Sequence, residues 1–125
     1  MEAYLNSTVA IVDLNPFVVA PLAAALTDAG YAASGEYSYE AARQRLESSP
    51  PDVLVVSVEL GTHNGLQLAM RASVALPATR VIVIGPASAA LEHDAGELGA
   101  SAYMPRPFDA SALRSGSKPP RSISR

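Results

Sequence analysis

Pro51-Asp52-Val53-Leu54-Val55-Val56-Ser57, followed eight residues later by Gly65, is the stretch that decides the fold. Four consecutive apolar residues between a proline turn and a polar end are too short for a helix. They read as a strand buried on both faces, as the strands of a parallel sheet are. The chain then empties into a loop and enters a helix near Gly65. Ser57 thus stands at the carboxyl end of a strand, the edge at which open α/β sheets form their sites. The residue in that place is a hydroxyl.

The flanking sequence repeats the alternation. Val9-Ala10-Ile11-Val12 is another short buried strand. Asn15 caps a helix that Pro16 opens, with Phe17, Val18, Leu22, Ala25 and Leu26 as its apolar stripe. Pro21 removes one intrahelical donor and predicts a kink or a late start, and Gly30 stops the helix. A weak second strand over Tyr31–Glu36 leads into a helix from Ser38 to Ser48. The third strand runs Val53–Val58. The helix after it spans Gly65 to Leu76, with Leu66, Met70 and Val74 on one face. Val81-Ile82-Val83-Ile84 is the fourth strand, and Ser88 to Leu98 a helix with Leu91, Ala95 and Leu98 inward. Ala102-Tyr103-Met104 makes a short fifth strand, with a brief helix after Asp109. Strands alternating with helices at this spacing predict an α/β fold with a doubly wound parallel sheet covered on both faces.

Composition narrows the function classes. The 125 residues are one domain's worth, and 49% apolar against 17% charged residues describes a globular chain. A net charge of −3 supplies no basic field for nucleic acid. No apolar run approaches the roughly 20 residues that cross a bilayer, and the amino terminus lacks a basic-then-apolar signal pattern. Zero cysteines exclude disulfides, thiolate metal sites and thiol catalysis, and suit a cytoplasmic location. His63 and His93 lack a second ligand at helical spacing and read as surface residues. Residues 1–7 form an extension and 8–114 the domain. Residues 115–125, from Ser115-Gly116-Ser117-Lys118-Pro119-Pro120 onward, read as a frayed end, a linker, or a basic segment for a partner.

Taken in order, four segments resemble the response-regulator receiver domain of two-component signalling, a flavodoxin-like fold. They are Ile11-Val12-Asp13-Leu14-Asn15-Pro16, Ala29-Gly30-Tyr31, Pro51-Asp52-Val53, and Gly99-Ala100-Ser101-Ala102-Tyr103-Met104-Pro105-Arg106-Pro107-Phe108-Asp109. The resemblance covers residues 8 to 114 and implies five site positions. Asp13 and Leu14 fall on the acidic pair after the first strand, of which the second chiefly holds Mg²⁺. Ser57 falls on the phosphoacceptor aspartate, Gly85 on the hydroxyl residue that contacts the phosphoryl group, and Arg106 on the lysine. Tyr103 falls on the switch aromatic, and the resemblance implies a cis bond before Pro107.

The chemistry of aspartyl phosphate needs an ionised carboxylate as nucleophile and a divalent cation against the phosphoryl oxygens. Mg²⁺ is held by one or two carboxylates plus water, and Leu14 and Ser57 leave only Asp13. A serine hydroxyl with no adjacent base is a weak nucleophile. Glu59, two residues on, is a conceivable substitute, although it reads as a loop residue facing solvent. Gly85-Pro86 leaves either a hole where a hydroxyl side chain would stand or simply a tight turn. Arg106 either reaches Asp13 and fills the emptied pocket or lies on the surface.

These readings predict a degenerate receiver, not an enzyme, with no cofactor and with Mg²⁺ binding lost or weak. Its partners are expected to be signalling proteins, or a second copy as a homodimer, with neither nucleic acid nor membrane bound. The family's usual contact face is its fourth helix, fifth strand and fifth helix, and the fifth helix here is short. The alternative is a small-molecule sensor using a pocket at the strand ends.

Overall fold

The computed structural model describes residues 7–106. In chain order the elements are β1 (Thr8–Val12), α1 (Pro16–Asp28), β2 (Ala32–Glu36), α2 (Tyr39–Ser48), β3 (Val53–Ser57), β4 (Glu59–Leu60), β5 (His63–Asn64), α3 (Gly65–Ala75), β6 (Arg80–Gly85), α4 (Ala89–Glu97) and β7 (Ala102–Pro105). Five strands form one sheet in the order β2-β1-β3-β6-β7. Every pairing in it is parallel. The predicted fourth and fifth strands are β6 and β7. The brief helix after Asp109, the Arg106-Pro107 bond and the 115–125 segment lie outside the described residues.

Strand side chains alternate between two cores, as the period of two dictates. Val9, Ile11, Val53, Val55, Ile82 and Ile84 pack with Val19, Leu22 and Leu26 of α1. Ala10, Val12, Leu54, Val56, Val81 and Val83 face the other way, against Leu46 of α2, Leu68 and Ala72 of α3, and Ala95 of α4. Burying an aliphatic side chain of this size stabilises by about 1.5–3 kcal/mol. That explains why the buried positions of β1 and β3 carry no polar residue until Ser57.

The helix ends follow local chemistry. Asn15, Ser38, Asn64 and Ser88 cap α1 to α4, each side chain accepting from a backbone N–H of the first turn. At the end of α1, Tyr31 N–H donates to Leu26 O and Gly30 N–H to Thr27 O, with Gly30 at φ 104°. That is a Schellman motif, with Tyr31 buried beside Leu26. The same pair of bonds closes α4 at Gly99.

Three expectations require correction. Helix α1 starts at Pro16 and runs unbroken through Pro21, with no late start. Phe17 and Pro21 are both exposed, so the Phe17 carbonyl that loses its donor faces water. Phe17 itself is 87% exposed, because Val19, Leu22 and Leu26 set the inward stripe. On α3 the stripe of Leu66, Met70 and Val74 is split: Leu66 is buried in the core, whereas Met70 is 49% and Val74 78% exposed. The cause is Gly65. A Cβ there would lie 1.8 Å from the Ser57 carbonyl oxygen, so α3 presses its backbone onto the end of β3. With Gly65 innermost, Leu66, Leu68, Ala69 and Ala72 lie inward with it, and Met70 and Val74 rotate toward solvent.

The segment expected as a loop after Ser57 contains an antiparallel hairpin, Glu59 pairing Asn64 and Leu60 pairing His63. Gly61 turns it at φ 68°. Leu60 plugs into the core, and the His63 ring stacks on Tyr39 at 4.4 Å.

Candidate functional site at the carboxyl ends of the strands

The order β2-β1-β3 reverses direction between β1 and β3, and the crevice beyond their carboxyl ends is where such sheets bind ligands. Asp13 follows β1 and Ser57 ends β3. They are the buried polar or charged side chains among the described residues, at 5% and 0% exposure. Burial of a carboxylate without partners is costly, so its partners decide what the site can do.

Asp13 uses both oxygens. Oδ1 accepts from the Asn15 backbone N–H at 2.9 Å, and Oδ2 accepts from Arg106 Nη2 at 3.4 Å. The same Nη2 donates to Ser57 Oγ at 2.7 Å. Arg106 is aimed there by its backbone, whose N–H donates to Gly85 O at 2.9 Å just past β7. Its Nη1 lies 3.8 Å from Glu59 Oε1 on the hairpin. Glu59 is exposed, as its sequence position suggests, yet it belongs to β4 and pairs with Arg106. Nothing in the sequence pattern signals that contact, because it depends on the hairpin bending Glu59 back.

Leu14 is 42% exposed at the rim, close enough to the hairpin that a Cβ at Gly61 would lie 3.2 Å from its Cδ1. Gly85 has a definite neighbour. A Cβ there would fall 2.6 Å from the Tyr103 hydroxyl oxygen and 3.1 Å from Val58 Cγ2. The half-buried Tyr103 packs against the α2–α4 side of the core and donates its hydroxyl hydrogen to Pro86 O at 2.5 Å. Burial pushes its phenol above the usual range, with Arg106 opposing and the carboxylates of Glu59 and Glu92 reinforcing.

The sequence therefore selects residues that the fold does bring together. Asp13, Ser57 and Arg106 form one bonded cluster, Leu14 and Glu59 lie at its edge, and Gly85 makes room for Tyr103. Pro107 lies outside the described residues. This donor set does not fit a divalent cation. Its one buried carboxylate has both oxygens engaged, and an arginine stands against it. Among the described residues there is no group of three or more His, Cys, Asp or Glu that could hold a metal ion. Nor is any described helix long and apolar enough to cross a membrane.

Comparison with known proteins agrees with this fold. The chain is similar to a response regulator protein from Burkholderia pseudomallei whose structure holds a phosphorylated aspartic acid, a calcium ion and citrate. Identity is 23%, coverage is 90% of this chain and 66% of that one, and the TM-score is 0.85. It is also similar to the receiver domain of the Francisella response regulator 1452, at 17% identity, 90% and 93% coverage and TM-score 0.83. A third likeness is to DrrB, a Thermotoga maritima OmpR/PhoB homolog, at 20% identity, 89% and 50% coverage and TM-score 0.78. The chain thus spans 66% and 50% of two of these proteins. At such identities the likeness speaks for the fold alone. No curated protein matches the chain by sequence. The response regulator receiver domain family matches residues 9–117, and the chain belongs to that receiver family of two-component signalling.

Proposed function

We propose that this receiver works without an aspartyl phosphate, as a protein-interaction module within a two-component pathway and not as an enzyme. The observation that carries the reading is the guanidinium of Arg106, bonded to both Ser57 Oγ and Asp13 Oδ2. In the receiver pattern Ser57 takes the acceptor aspartate's position and Leu14 that of the main Mg²⁺ carboxylate. The positive charge that a divalent cation would bring to the carboxylate and the phosphoryl oxygens is supplied here permanently by a side chain. A bonded cluster of this kind holds the strand ends in one arrangement in the absence of any signal.

Gly85 and Tyr103 support the same reading. With only hydrogen at position 85, the phenol rests over the strand end with no residue to exclude it. A receiver switch depends on two populated arrangements, and a ligand shifts them only by binding one better. Here the contacts favour one. Its partners are then proteins that recognise this fixed surface.

Small phosphodonors test the proposal. Acetyl phosphate with Mg²⁺ is expected to leave no covalent phosphoryl group on the chain, read by intact mass. A Mg²⁺-dependent, acid-labile adduct would overturn it. Among the described residues a cavity of ≈ 640 Å³ is lined by Asp52, Thr79, Arg80 and Ser101, at the opposite, amino-terminal edge of the sheet from the pocket that the small-molecule alternative would use.

A further inference from the structure

The outer ridge of α3 is apolar where a solvent-facing helix is ordinarily polar. Met70 and Val74, four residues apart and so aligned along the helix, are 49% and 78% exposed, and their row runs back to Leu66, which is buried in the core. A groove of ≈ 570 Å³ flanks the ridge on the α4 side, walled by Asp94, Glu97 and Leu98. A second groove of ≈ 460 Å³ flanks it on the α2 side, where Tyr39, Gln67 and Arg71 stand. The two walls differ in charge. Carboxylates stand on one side and a guanidinium on the other.

Among the described residues, the side chains of Asp94, Glu97 and Arg71 enter no ion pair. The other ions of the α2 wall are satisfied locally, Arg43 pairing with Glu40 and Glu47 of its own helix. What remains is an apolar seam with an open anionic margin and an open cationic margin.

We propose that this ridge is the seam of a homodimer in which α3 lies parallel to α3 of a second copy. A two-fold interface places one surface patch against itself. If the axis runs along α3, each ridge residue meets its own equivalent, and each flank meets the opposite flank of the second copy. Met70 then faces Met70 and Val74 faces Val74. Arg71 of each copy faces Asp94 and Glu97 of the other, twice over. An axis across α3 instead sets carboxylates against carboxylates, an arrangement that like charge disfavours. Both halves of a complementary surface are thus present on one chain, which selects a second copy as occupant and fixes the orientation. The face is centred on α3, and the proposal is independent of how the strand-end site operates.

The chain has no cysteine, so a single introduced thiol reports the seam directly. Under mild oxidation the full chain carrying Met70→Cys should form an interchain disulfide. Thr27→Cys on α1, which packs against the other face of the sheet, should not. In sedimentation the wild-type chain should dimerise reversibly. Val74→Glu should weaken dimerisation by at least about tenfold, and Arg71→Glu or Glu97→Arg alone by about tenfold. Arg71→Glu combined with Glu97→Arg should recover it, a rescue that unfolding cannot imitate. A chain monomeric up to about 100 μM overturns the proposal, whatever else the ridge then binds. So does a dimer indifferent to Val74→Glu, or crosslinking as efficient through Thr27→Cys as through Met70→Cys.

Discussion

Two arginines of this molecule do the same chemistry in different surroundings. Arg43 lies on α2 between Glu40 and Glu47, pairing with both, and each carboxylate is 61% exposed. Arg106 joins Asp13 and Ser57, which are 8% exposed at the Asp13 side chain and fully buried at Ser57. In water the first arrangement is screened and contributes little. The Arg43 guanidinium holds the Glu40 carboxyl below its ordinary range, but a shift on an exposed group carries little weight for stability. In the second, removal of the arginine leaves a buried carboxylate with a single backbone N–H as partner. The lesson is that burial, not the number of partners, decides which pair defines a site.

The comparison breaks most visibly at Arg106. Removing one member of a buried pair costs about 3–5 kcal/mol, and the 32% exposure of Arg106 reduces the expectation for Arg106→Met to about 2 kcal/mol. Urea unfolding measures it. The double variant Asp13→Asn with Arg106→Met should regain part of that loss, because neither partner is then left charged and buried. A loss equal in the single and double variants would show that packing, not charge, holds the cluster.

A somewhat smaller effect is expected from Gly85→Ser. Its Cβ would meet the Tyr103 hydroxyl at 2.6 Å, so the ring must leave its place. Overpacking of this kind costs about 1–3 kcal/mol, and the freed phenol should become more accessible to solvent quenchers of tyrosine fluorescence than the wild-type ring. Unchanged stability and an unmoved ring would detach Gly85 from Tyr103.

Tyr103→Phe removes a neutral hydrogen bond, worth about 1 kcal/mol at neutral pH, and changes the alkaline limb. The half-buried phenol is raised above its ordinary 10.0, so the folded state holds its proton more tightly than the unfolded chain. Its contribution is complete below pH 10.0 and is lost as pH rises through the folded value. The variant should therefore lose less stability than wild type above that pH. The smallest effect belongs to the other arginine. Arg43→Ala should leave the urea midpoint within experimental error, and a clear fall would contradict the contrast between the two.

Much of the fold was legible because short apolar runs have few alternatives. Val9–Val12, Val53–Val56 and Val81–Ile84 are too short for helices and too apolar for an exposed edge, and each is a buried strand. Caps were legible for the same reason, since Asn15-Pro16 and Ala29-Gly30-Tyr31 have strong local preferences. The face of α3 was not. Leu66, Met70 and Val74 make a better apolar stripe on paper than Gly65, Leu68, Ala69 and Ala72, yet of those three Leu66 alone is buried. The backbone contact at Gly65 outweighs the side chains' hydropathy. The β4–β5 hairpin was illegible because two-residue strands have no period. At the site, spacing brought Asp13, Ser57 and Arg106 to one edge and left two fates open for Arg106. Side-chain reach decided between them, and it added Ser57 and Glu59 as partners.

The central claim, that Arg106 fills the site, is tested most directly by acetyl-phosphate labelling of the Ser57→Asp variant with Mg²⁺, read by intact mass. Arg106 Nη2 lies 2.7 Å from Ser57 Oγ, so a carboxylate introduced there passes to the guanidinium, while Leu14 still supplies no ligand to a cation. The account predicts that this variant stays unlabelled, and that Mg²⁺ affinity becomes measurable only when Leu14→Asp is added. Efficient labelling of Ser57→Asp alone would contradict it.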